Sequence, residues 1–230
     1  MNNQEIITTK KNILAYLSKR QLKNAFEALI KLTVNLQDWH VSERINELET
    51  NYKYMLHYMF EGVQDNERSK VYRNLVRSLY ELTDDSADEL LRIESSNIFY
   101  DKLRIAALKT PFSIPDYLRQ LKDITDSLSI AELIESNLEK STRKRDLEIK
   151  RERLSADMFN SVFISQRASE KEYADYMAVV DAIDIPSRDK CLFISALSMN
   201  LFHRFDVHKI KVLMQAALSP DIAVKARSIV

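Results

Sequence analysis

The sequence predicts an all-α protein with no β-sheet, and three observations carry that prediction. A single glycine, Gly62, stands in 230 residues, where average usage would supply roughly 16. Tight hairpins, phosphate-cradling loops and dinucleotide fingerprints use glycine where the backbone takes positive φ or approaches a ligand closely, so this chain has no residue with which to build them. Apolar residues recur every three or four positions along almost the whole chain, the period of an amphipathic helix. Capping residues and prolines separate those stretches at short intervals, the pattern of helices joined by short turns.

Composition sets the class. Hydrophobic residues make up 45% and charged residues 30%, with 34 basic against 34 acidic side chains, a globular balance that argues against disorder and against a dedicated nucleic-acid or membrane binder. The N-terminus lacks an apolar core of signal-peptide length and no stretch approaches 18 uninterrupted apolar residues, so the chain reads as soluble and cytoplasmic. Cys191 is the only cysteine, which excludes an intrachain disulfide. It lies in the run Cys191-Leu192-Phe193-Ile194 and reads as a small buried hydrophobe.

The elements follow in order. Ile6, Ile7, Ile13, Leu14 and Leu17, then Leu22, Ala25, Phe26, Leu29, Ile30 and Leu32 beyond the polar Ser18-Lys19-Arg20-Gln21, predict a helix pair with a short turn. A third helix is expected to start at Ser42 and to bury Ile45, Leu48, Tyr52, Met55, Leu56 and Met59 before Gly62 caps it. Asp65 or Asn66 would open the next, with Val71, Tyr72, Leu75, Val76, Leu79 and Leu82 on one face. The cluster Asp84-Asp85-Ser86, with Asp88 and Glu89, reads as the first turn of another helix, where acidic residues complement the backbone dipole. Pro111 and Pro115 bracket Ser113 and mark a break before the helix of Tyr117, Leu118, Leu121 and Ile124. Later, Ser169 with Glu172 forms a capping box, Pro186 and Ser187 restart the chain, Asp206 caps a further helix and Ser219-Pro220-Asp221 opens the last.

The texture changes between Glu139 and Arg153, where eleven of fifteen positions are charged and only Leu147 and Ile149 are large and apolar. Glu139 with Arg143 and Asp146 with Lys150 stand one helical turn apart in the favourable acid-before-base order, so the segment reads as an exposed connecting helix or a linker. The expected organisation is an N-terminal helical subdomain over 1–138, a charged connection over 139–153 and a second helical region over 154–230.

Two resemblances follow. Tyr16, Leu22, Ala25, Leu29 and Leu32 stand where a tetratricopeptide repeat places its packing residues, so residues 5–36 resemble that family, although Arg20 occupies the turn position usually held by glycine. Restarts at Pro186 and Pro220, together with Val224-Lys225-Ala226 after Asp221, resemble HEAT repeats over the C-terminal region. The general character of the chain is also similar to uncharacterised helical-repeat proteins of Bacteroides-type bacteria. These resemblances imply a right-handed α-solenoid of stacked antiparallel helix pairs. A bare apolar end at Ala226, Ile229 and Val230 is then expected either to continue the solenoid or to permit a homodimer.

Chemistry is sparse. His40, His57, His203 and His208 show no metal-ligand spacing, and no serine or cysteine sits in a nucleophile context, so neither cofactor nor catalysis is expected. The candidate interaction surface is the basic set Lys140, Arg143, Lys144, Arg145, Lys150, Arg151 and Arg153. The leading functional expectation is a scaffold binding a protein or peptide. The alternatives are a HEAT-like nucleic-acid binder using residues 140–153, for which no aromatics are interleaved, and a HEAT-like enzyme.

Overall fold

The computed structural model describes residues 2–61, 67–109 and 112–229. Among them are eleven α-helices, one short 3-10 turn and no strand. The helices divide into two compact units, Met1–Asp101 and Lys102–Val230. The expected features at Gly62, Asp65, Asn66, Pro111 and Val230 lie outside the described residues.

In the first unit, α1 (Asn3–Ser18) opens with a reciprocal cap. The Glu5 amide donates to Asn2 Oδ1 at 2.8 Å and the Asn2 amide donates to Glu5 Oε2 at 3.0 Å. Ile6, Ile13 and Leu17 face α2 (Leu22–Thr33), which returns Leu22, Ala25, Phe26, Leu29 and Leu32 to the same core. The turn between them closes as a Schellman motif: the Gln21 amide reaches Tyr16 O at 2.9 Å, the Arg20 amide reaches Leu17 O at 3.1 Å, and Arg20 takes φ 59°. That left-handed conformation explains why glycine is the usual residue there. A 3-10 turn (Val34–Leu36) and the left-handed Gln37 then lead into α3 (Trp39–Phe60).

Helix α3 starts before the expected Ser42, because Asp38 accepts the His40 amide at 2.9 Å and serves as the cap. Of its expected core only Ile45 and Leu48 are buried, while Tyr52, Met55 and Leu56 are half-buried and Met59 is exposed. The period was legible, but a 22-residue helix resting on a short contact leaves much of its length uncovered.

Helix α4 (Arg68–Glu94) runs straight through Asp84-Asp85-Ser86, so those residues are not a helix start and the dipole explanation fails. Asp84 and Asp88 are buried instead, held by Lys10 of α1 at 3.0 and 3.9 Å, and the Tyr100 hydroxyl donates to Asp88 at 3.3 Å. A buried carboxylate persists only with such partners. Leu75, Leu79, Ala87, Leu90 and Leu91 complete the buried side of α4.

Helix α5 (Ile98–Ala106), which was not among the expected elements, is capped by Asn97, whose Oδ1 accepts the Phe99 amide at 2.8 Å. The second unit continues with α6 (Ile114–Ala131), α7 (Asn137–Ile164), α8 (Glu170–Asp181), α9 (Ser187–Leu201), α10 (Val207–Ala217) and α11 (Ile222–Ser228). Ser113, Ser136, Ser169, Asp206 and Asp221 cap their helices through side-chain oxygens. Residues 139–153 form the first half of the 28-residue α7 within this unit, rather than a connection between units. The segment is helical, as its acid-before-base spacing suggested, and two positions anchor it: Leu147 is buried and Arg151 pairs with Asp189 of α9.

Packing in this unit joins each helix to the next but one, and α6, α9 and α10 also to the helix that follows them. α6 touches α7 and α8, α7 touches α9, α8 touches α10, and α9 touches α10 and α11. The centre is apolar, with Met158, Val179, Phe193, Ile194, Leu197, Val212, Ala216 and Val224 all buried.

Candidate functional site

The seven basic residues singled out on α7 do not form one cationic surface. Lys140 and Lys144 both turn to Glu132, at the end of α6, and the Lys140 ammonium also donates to the Glu132 carbonyl at 2.7 Å. Hydrogen bonds from Lys144 and then Lys140 hold the Glu132 carboxyl below its usual range. Arg151 is drawn inward, its Nε donating to Asp189 Oδ2 at 3.1 Å. Arg143, Arg145, Lys150 and Arg153 remain exposed. By helical spacing, Glu139, Arg143, Asp146, Lys150, Arg153 and Asp157 share one stripe, so three acidic residues are interspersed with three basic ones along it. A phosphate backbone needs accumulated positive charge, which this stripe does not offer.

Beneath the stripe lies a buried polar knot that the sequence did not reveal. Ser155 donates to Asp189 Oδ1 at 2.8 Å, Arg151 binds the other carboxylate oxygen, and Tyr117 of α6 stands against them with 1% of its surface exposed. Burial, reinforced by the Asp189 charge, pushes the Tyr117 hydroxyl far above its usual value, so it stays neutral. The only sequence signal was separation: Arg151 and Asp189 stand 38 residues apart, close to the spacing of the capped helix starts at Ser169 and Asp206.

A second knot ties the α7–α8 turn to α9 and α10. Lys209 is fully buried, and its ammonium donates to Asn200 Oδ1 at 2.7 Å, Gln166 O at 2.8 Å and Ser165 O at 3.3 Å. Asp206 Oδ2, 3.6 Å from that ammonium, accepts the Ala168 amide at 2.7 Å, while Oδ1 accepts the His208 amide. Burial outweighs the Asp206 attraction and brings Lys209 down to about 8. The sequence revealed the Asp206 cap but not that the same carboxylate serves a neighbouring turn.

Beside these knots a cleft of about 1250 Å³ opens within the second unit, between the end of α5, the start of α6, the second half of α7 and the start of α8. Lys102, Ile105 and Lys109 line it from the α5 side, Asp157 and Asn160 from α7, and Glu172 and Asp175 from α8. Lys102 is committed: its ammonium donates to Asn160 Oδ1 at 2.6 Å and lies 5.7 Å from the Phe163 ring centre. Glu172 is committed to the α8 capping box, accepting the Ser169 amide at 2.9 Å. Tyr176, pushed up to about 12 chiefly by burial, is a neutral phenol at the rim. The lining mixes both charges with apolar surface, and within it the Ser169 hydroxyl donates to Glu172 Oε2 at 2.7 Å.

The histidines disperse. His40 lies on Trp39 at 3.6 Å between ring centres, His57 pairs with Glu61 at 3.2 Å, His203 stands beside Phe163, and His208 Nδ1 meets the Ala168 carbonyl at 2.8 Å. No group of His, Cys, Asp and Glu among the described residues could hold a metal ion. Cys191 is half-buried, and desolvation, with the Asp221 charge second, raises its thiol above the usual value, which opposes thiolate chemistry. No described helix is long and apolar enough to cross a membrane. No family model, curated protein or solved structure matches the chain. The tetratricopeptide and HEAT resemblances therefore rest on their quoted residues alone, and the Bacteroides-type one on general character alone.

Proposed function

We propose that this chain is a non-catalytic, cytoplasmic scaffold of stacked antiparallel helix pairs, a right-handed α-solenoid, that binds a protein or peptide partner. The next-but-one packing of the second unit carries the proposal. Several of its long-range polar contacts fall at similar separations: 34 residues for Ser155 and Asp189, 38 for Ala168 and Asp206, 34 for Ser187 and Asp221, and 32 for Ser195 and Arg227, beside longer ones such as 44 for Lys209 and Ser165 and 58 for Lys102 and Asn160. A repeated helix pair produces the shorter spacing, because each element meets its counterpart in the next repeat. The left-handed Arg20, at the turn position where a tetratricopeptide repeat uses glycine, supports a similar pair over residues 5–36.

Stacked helices hold side chains in fixed positions, which reduces the ordering entropy lost on association. Several large apolar side chains of the second unit face outward, among them Ile183, Phe202, Leu218 and Ile222, and a protein partner is the occupant that would gain from covering such groups. The test is affinity capture with the chain as bait, run in parallel on nuclease-treated and untreated lysate. Recovery of one specific protein in both supports the scaffold. Material lost on nuclease treatment would replace it with nucleic-acid binding.

A further inference from the structure

On the first unit, a narrow groove of about 240 Å³ lies between the second half of α3 and the first turn of α4. Tyr54 and Tyr58, one helical turn apart, stand beside Met55 and Met59, with Arg68 and Val71 closing the α4 side. Both tyrosines are more than half exposed, at 59% and 54%. This surface belongs to the helix that buries only Ile45 and Leu48, so its rings are presented outward rather than spent on the core.

We propose that this groove docks a proline-rich segment carrying acidic residues at one end. The inference names a partner chemistry for the scaffold reading and rests on it. Three observations select that occupant. The groove is too small for a helix, which is about 10 Å across, and fits a few residues of extended chain. The tyrosines are separated by about 6 Å along α3, close to two residues of a polyproline helix at about 3.1 Å each. Such a helix exposes its carbonyls while its prolines offer no amide, so it needs donors. The groove is lined by two tyrosines, Asn51 and Arg68, all with donor groups, and among the described residues no carboxylate lines it.

Charge fixes the flank. The start of α4 carries Arg68, Lys70, Arg73 and Arg77 before its first acidic residue, Glu81. Lys70 pairs with Glu67 and Arg77 with Glu81, which leaves the segment with an excess of positive charge.

Fluorescence anisotropy with three labelled peptides tests this: a proline-rich peptide ending in aspartates, the same peptide ending in lysines, and one of alternating alanine and serine. The acid-ended peptide is expected to saturate, to bind at least tenfold more weakly to Tyr54→Ala/Tyr58→Ala, and to weaken severalfold with Arg68→Ala. Circular dichroism of each variant checks that helicity is retained. Tyr54→Phe/Tyr58→Phe, which keeps the rings and loses the donors, should fall between wild type and the alanine pair. No saturable binding of the acid-ended peptide, equal binding by the alanine pair, or preference for the lysine-ended peptide would each overturn the proposal. A partner captured by wild type and equally by the alanine pair would overturn the groove yet leave the scaffold standing. Failure of wild type to capture any protein would remove the scaffold itself.

Discussion

Arg20 and Gln37 adopt left-handed backbone at φ 59° and 49° in a chain almost without glycine. A side chain there crowds the following carbonyl, at a cost of about 1–2 kcal/mol. Arg20→Gly is therefore expected to stabilise the first unit by about 0.5–1 kcal/mol after glycine's greater freedom in the unfolded chain is deducted. Thermal unfolding should show a rise of about 2–4 °C per kcal/mol for a chain of this size, and Arg20→Ala should show none of it. Lys209 gives a pH signature at the same scale. It titrates near 8 in the fold and near 10.5 when unfolded, so between those values the unfolded chain binds the extra proton. Stability then rises as pH climbs through that window, by up to about 3 kcal/mol. Tyr176, raised to about 12, acts oppositely: above about pH 10 the folded state keeps the proton that the unfolded state loses, and stability falls. Denaturant unfolding of wild type and Lys209→Met should diverge between pH 8 and 10, in favour of wild type as pH rises; parallel curves would contradict the assignment.

Elements were legible in the sequence wherever a signal was local. The Ser169–Glu172 capping box, the Pro186 restart and the Asp206 and Asp221 caps each depend on neighbours within one turn, and the structure contains them all. Signals that depend on a distant partner were misread. Asp84 and Asp88 look like a helix start until Lys10 of α1 is placed beside them, and residues 139–153, helical as their spacing suggested, look like an exposed connection until Arg151 meets Asp189. The polar knots were invisible for the same reason. Tyr117, Ser155 and Asp189 come from three helices, each on an ordinary amphipathic stretch. Asp189 is expected to be the most costly single position of the α7–α9 contact, because its removal strands Arg151 and Ser155 together. Breaking a buried pair costs about 3–5 kcal/mol, so urea unfolding of Asp189→Ala should lose roughly 3 kcal/mol, with Asp189→Asn losing less because an acceptor remains.

At the scale of the whole molecule, the all-α class followed from glycine scarcity and helical period, both of which are properties of the entire chain. The division between Asp101 and Lys102 was not visible, because it falls inside α5, where composition does not change. The candidate surfaces were only partly legible. Tyr54 and Tyr58 fit the helical pattern, but whether a face is covered depends on which helices reach it, and only Ile45 and Leu48 of α3 are buried. The next-but-one packing of the second unit is the observation on which the proposed scaffold role rests. Sedimentation velocity of the purified chain mixed with its captured partner tests that claim most directly. The account predicts a complex of fixed stoichiometry at micromolar concentration, unchanged by nuclease. Two independently sedimenting species, or a complex that disperses once nucleic acid is digested, would contradict it.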